Sequence, residues 1–168
     1  MKNQIVALIA STAFASTAFG QTTVTNPWIR ATVPQQTASG AFLQLRSPDN
    51  ARLVAVNSPL AASVQLHKME MNGGRMTMRE VDAIELPAGS MVNLASGGYH
   101  VMLSGLKRQL KEGDVVPLSL VVERKNGSRE TVAVNAPVKP LMYAGVSATS
   151  ATSAPSAPSA PSVHPIHH

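Results

Sequence analysis

Soft donor atoms are the conspicuous chemistry of this 168-residue chain. It contains no cysteine, eight methionines and five histidines. Without thiolate, disulfide staples, thiol catalysis and c-type haem attachment are excluded. Any soft metal ligand must then be a thioether. Two histidines, His67 and His100, lie in the central part of the chain, and the other three, His164, His167 and His168, lie at its end. The methionines cluster too, with Met69, Met71, Met76, Met78 and Met91 within one short stretch and Met102 beyond it.

Spacing gives these residues a common direction. His100 and Met102 are separated by one residue. On a strand, alternate side chains leave the same face, with Cα atoms roughly 6 to 7 Å apart. One ion can sit between two such side chains. The same parity relates Met76 to Met78, and His67 to Met69 and Met71. Between these groups stands Asn72-Gly73-Gly74, a turn signal. A hairpin there brings the strand of His67 beside that of Met78, and two imidazoles and at least two thioethers could then converge at one end of the fold. Thioethers are neutral and soft, which suits Cu(I) and disfavours zinc, magnesium and calcium. Singly, a methionine in a strand is ordinary core filling, as expected of Met91 and Met142. The joint pattern is what points to a metal.

The elements that must position these residues read as short strands. Alternating runs occur at Ala41–Leu45, Leu53–Val56, Val64–His67, Arg75–Arg79, Met91–Leu94, His100–Leu103, Val115–Glu123 and Thr131–Val134. Turn signals separate them at Asn72-Gly73-Gly74, Pro87-Ala88-Gly89, Ser96-Gly97-Gly98, Glu112-Gly113-Asp114 and Asn126-Gly127. This punctuation predicts an all-β antiparallel sandwich or barrel. Pro117 inside the longest run predicts an edge position or a bulge. A short helical turn is expected near Ser58 to Ala62.

The ends fall outside that domain. Lys2 followed by an apolar run to Phe19, then Ala18-Phe19-Gly20, reads as a signal peptide over residues 1–20, cleaved before Gln21. The run is too short to span a bilayer, and no cysteine offers a lipid attachment point. An exported, periplasmic protein is expected, not integral to the membrane once the leader is removed. The β domain is expected over residues 21–143. Residues 144–168, rich in Ser, Ala and Pro, are expected to form a disordered tail. Its His164, His167 and His168 would suit a second, Cu(II) site better than Cu(I), or be incidental. The net charge of +5 is dispersed. With few aromatic residues to stack on bases, this argues against nucleic-acid binding.

The four residues also carry a resemblance. His67, ten residues, Met78, twenty-one residues, His100, one residue, Met102 resembles the signature of the periplasmic copper chaperones of the PCu(A)C type. The similarity extends from about Val24 to Pro137, through Trp28-Ile29-Arg30, Leu86-Pro87-Ala88-Gly89, Gly97-Gly98-Tyr99-His100-Val101-Met102-Leu103, Gly105-Leu106-Lys107 and Leu110-Lys111-Glu112-Gly113-Asp114. It implies a cupredoxin-like β-sandwich, expected to be monomeric, holding one accessible Cu(I) with His67, Met78, His100 and Met102. It further implies delivery to a copper-receiving protein, such as a cytochrome c oxidase subunit during assembly of its binuclear CuA centre, or to another copper chaperone. Sequestration or resistance through the same site is the alternative. Where that signature sometimes has Met directly after the first His, this chain has Lys68. Met69, Met71 and Met76 are therefore left as candidate auxiliary ligands, with Met78 favoured over Met76 by spacing. A blue-copper carrier is excluded by the missing cysteine. No catalytic constellation stands out, and the adjacent acids Asp82 and Glu85 read as an exposed turn pair, so no enzyme is expected.

Overall fold

A computed structural model describes residues 21–145. Within them the chain forms ten strands and no helix. In chain order these are β1 (Thr23–Arg30), β2 (Ala38–Arg46), β3 (Ala51–Asn57), β4 (Ala61–Asn72), β5 (Arg75–Glu80), β6 (Ile84–Leu86), β7 (Met91–Leu94), β8 (Tyr99–Leu106), β9 (Val115–Arg124) and β10 (Arg129–Lys139). Each of the five turn signals holds a glycine at positive φ, between 56° and 90°. In the β4–β5 hairpin both loop residues, Gly73 and Gly74, are of this kind. That is the requirement of the two-residue turn whose twist matches its strands.

The strands follow one hydrogen-bonded path, β5-β4-β8-β2-β1-β10-β9-β3-β6, with β7 added beside β2. All pairings are antiparallel except β1 with β10. That parallel contact joins a half containing β5, β4, β8, β2 and β1 to a half containing β10, β9, β3 and β6. The two halves share one core. Ile29, Ala41, Leu43, Leu45, Leu66, Val101 and Leu103 come from the first, and Leu53, Ile84, Leu118, Leu120 and Val122 from the second. Alternation selects them, as in β9, where Val116, Leu118, Leu120 and Val122 are buried. Burying each such side chain stabilises the fold by about 2 kcal/mol relative to exposure.

Three sequence expectations meet this structure differently. Pro117 lies in β9 opposite Asn135 of β10, but β3 has already ended with Asn57 opposite Ser119. Its missing N–H therefore forfeits no bond to β3, which is the local edge the proline required. The helical turn expected at Ser58 to Ala62 is instead a tight bend between β3 and β4. It is closed by the Ala61 amide donating to the Ser58 carbonyl at 3.4 Å. Met91 and Met142, read as core filling, are exposed by 51% and 93%. Met91 opens β7 at the end of its pairing with β2, opposite Arg46, and Met142 follows the last strand, so neither position faces the interior. The leader expected over residues 1–20 lies outside the described residues.

Candidate metal centre

The strand pairings decide what the spacing could only suggest. β4 lies between β5 and β8, with His67 directly opposite His100 of β8 and Glu80 of β5. One rung along, Met69 faces Met78; two residues the other way, Gln65 faces Met102. Directly paired residues project to the same face of a sheet. His67, Met69, Met78, His100 and Met102 therefore all leave one face. The opposite face of the same strands carries Leu66, Val101 and Leu103, all buried in the core. The cluster sits on the sheet's outward face near the start of β8.

Two of the donor atoms stand in contact. His100 Nε2 stands 3.0 Å from the Met78 Sδ. The rings of His67 and His100 are 5.7 Å apart and nearly perpendicular, at 78°. His67 Nδ1 is buried without a hydrogen-bond partner. An unsatisfied ring nitrogen of this kind is costly, and a ligand would satisfy it. Met102 is half-buried beside Gly40 of β2, to which it is paired. Met78 is 48% exposed, so the cluster is open on its β5 side.

Burial governs the protonation of His100, whose imidazole is 7% exposed. Loss of solvation pushes its pKa below the usual value of 6.5, a hydrogen bond with the Gly98 backbone pulls it back, and the proximity of His67 lowers it further. The net direction is downward, which favours the neutral ring that a metal requires.

Part of the cluster's setting was not singled out from sequence. Asn26, at φ 49°, accompanies a register break in β1. Beyond it, Trp28 pairs with Phe42 of β2, and their rings stack at 4.4 Å. Phe42 in turn lies 6.4 Å from His100, and Tyr143 meets Trp28 edge-on at 4.8 Å. A line of rings thus shields one flank of His100. Glycine at position 40 makes room for it, since a Cβ there would stand 3.0 Å from the Phe42 ring. The signal was available in β2, where alternation sends Gly40 and Phe42 away from the core-facing Ala41 and Leu43.

Among the other candidates, Met69 is half-buried opposite Met78, while Met71 and Met76 face each other nearer the hairpin turn and are exposed. His164, His167 and His168 lie outside the described residues. Among the described residues no group of three or more His, Cys, Asp or Glu could hold a metal, so any metal here depends on thioethers.

Fold and cluster together define a small all-β domain of cupredoxin-like form, with paired imidazoles and thioethers on the outward face of one sheet. The chain belongs to the family described as "Putative lipoprotein LpqE-like", whose model matches residues 22–138. A relative from Leifsonia xyli subsp. xyli, "Putative lipoprotein Lxx21020", is 36% identical over 117 residues, which is 69% of this chain and 68% of that protein. Among solved structures, the "Copper-bound PCuAC domain from PmoF2" is similar at 30% identity and a TM-score of 0.58, covering 73% of this chain and 96% of that one. CuI-DR1885 from Deinococcus radiodurans, known from a solution structure, is similar at 34% identity and a TM-score of 0.54, covering 68% and 75%.

Proposed function

We propose that this protein is an exported copper carrier that holds one Cu(I) between His67, Met78, His100 and Met102 and passes it to a partner protein. The observation that carries the reading is the approach of His100 Nε2 to the Met78 Sδ, with His67 opposite and one of its nitrogens unpartnered. At bond lengths of about 2.0 Å to nitrogen and 2.3 Å to sulfur, two donors on one ion stand roughly 3.5 Å apart. The existing gap needs only a small adjustment to admit it. Two neutral imidazoles and two neutral thioethers select a soft monovalent ion over the harder divalent cations. The similarity to a copper-bound PCuAC domain and to CuI-DR1885 supports the same cargo.

Transfer fits the position of the site. Met78 comes from the edge strand and is accessible, so an incoming ligand can reach the ion before the domain lets go. A copper-receiving protein of the type that builds the CuA centre of cytochrome c oxidase is the proposed recipient. The relatives' description as lipoproteins supports export. For His164, His167 and His168 an additional Cu(II) site is proposed. Truncation after Tyr143 should remove one Cu(II) equivalent from a titration, and an unchanged count would refute the tail site.

X-ray absorption on the Cu(I)-loaded protein should count two nitrogen and two sulfur neighbours. His100→Ala and Met102→Ala should each lower Cu(I) affinity at least tenfold, about 1.4 kcal/mol, with the β-sheet circular dichroism retained. If both variants bind Cu(I) as the parent does, the four-residue site is wrong.

A further inference from the structure

Beyond His67, Met78, His100 and Met102, the β4–β5 hairpin carries a second set of thioethers. The pairings place Met69 opposite Met78 and Met71 opposite Met76, in successive rungs on one face. Directly opposed Cβ atoms in such a ladder are about 5 Å apart, and same-face neighbours along a strand about 7 Å. The methionine side chain, with three rotatable bonds, can close gaps of that size. Gly73 and Gly74, at φ 56° and 79°, fix the turn that sets this register.

The residue choice on the two faces is informative. The other face of the same hairpin carries Lys68, Glu70, Thr77 and Arg79, tied together by ion pairs from Glu70 to Lys68 at 3.0 Å and to Arg79 at 3.5 Å. That is how a solvated edge is ordinarily built. The two methionine rungs have no such dressing, although Met71 is 68% exposed and Met76 49%. Among the described residues the buried apolar side chains are Trp, Ile, Ala, Phe, Leu and Val, with no methionine among them. Four thioethers in two successive rungs of one face have one property that leucine and valine lack, an affinity for soft monovalent cations.

We propose that Met69, Met71 and Met76 form a second Cu(I) site, one rung outward from the first, at which copper stops as it enters or leaves. The proposal rests on copper being the cargo, but its ligands are different. The outer site has no imidazole, so it binds more weakly than the inner one and fills second. The route is a ladder of sulfurs from the hairpin tip to Met78.

The test follows each thioether separately. The full chain is labelled with 13C at the methionine methyl groups and titrated anaerobically with Cu(I) while the methyl resonances are read by NMR. The first equivalent should shift Met78 and Met102. The second should shift Met69, Met71 and Met76. Met91 and Met142, exposed but solitary, should not move. In Met71→Leu/Met76→Leu the second step should weaken at least tenfold with the first unchanged. In His67→Ala/His100→Ala the first step should fail while Met71 and Met76 still shift. Resonances of Met71 and Met76 that stay still, or that move only in step with Met91 and Met142, overturn the outer site whatever the first equivalent does. Resonances of Met78 and Met102 that stay still overturn the inner centre instead.

Discussion

The two faces of β8 do different work with neighbouring residues. Val101 and Leu103 point inward and are completely buried. His100 and Met102, alternating with them, point outward to a cluster that contributes donor atoms rather than packing. On the proposed reading, stability and binding are written on one strand in alternate letters, and the division can be tested residue by residue.

The largest effect should come from the inner face. Leu103→Ala should destabilise the domain by about 3 kcal/mol through lost burial and the cavity left behind, measured by urea unfolding. The fraction still folded should bind Cu(I) as the parent does. Met102→Ala should do the reverse. If Leu103→Ala cuts affinity as deeply as it cuts stability, the faces are not separable.

Next comes the joint between β8 and β4. Gly105 has φ of 63°, and a Cβ at that position would lie 2.7 Å from the Ala62 Cβ. Gly105→Ala should cost about 2 kcal/mol for the strained backbone and should also disturb the pairing that sets His67 opposite His100. Reduced Cu(I) affinity alongside reduced stability is expected here. An unchanged melting temperature would show that the close approach relaxes freely.

The smallest effect should be a pH dependence. The pKa of His100 is lower in the folded chain than its ordinary 6.5. The unfolded chain therefore binds the proton first. The neutral-ring contribution is complete above about pH 6.5 and is lost as pH falls from there through the depressed folded value. Thermal unfolding of the copper-free protein should show this slope, and His100→Asn should flatten it. An equal slope in both proteins would assign the dependence to another group.

Much of this architecture was legible before any coordinates. Eight strands announced themselves by alternation, and each turn by a glycine that proved to need positive φ. β1 was missed because Asn26 and Pro27 interrupt its pattern, the former at a bulge. β6 was missed because Ile84–Leu86 is too short to show a period. The β4–β5 hairpin was readable from Gly73-Gly74, and with it the approach of Met78 to the strand of His67. The pairing of β4 with β8 was not. Those strands are joined by a long excursion through β5, β6 and β7, and nothing local records which neighbour a strand will choose. The aromatic flank of Trp28 and Phe42 was half hidden, since β1 shows no clean period, although Gly40 and Phe42 alternate with the core-facing Ala41 and Leu43. Met91 and Met142 depart from the usual habit of methionine as core filler, and the described core holds no methionine.

The sandwich closes on a hydrocarbon core, and this bears on the proposed transfer of copper. A domain whose shape depended on its ion would unravel on giving it up. Here none of the four proposed ligands belongs to the hydrophobic core. Loading raises its resistance to unfolding only by mass action, in proportion to the logarithm of free copper over the dissociation constant. A copper carrier of this build should release and rebind its ion without unfolding.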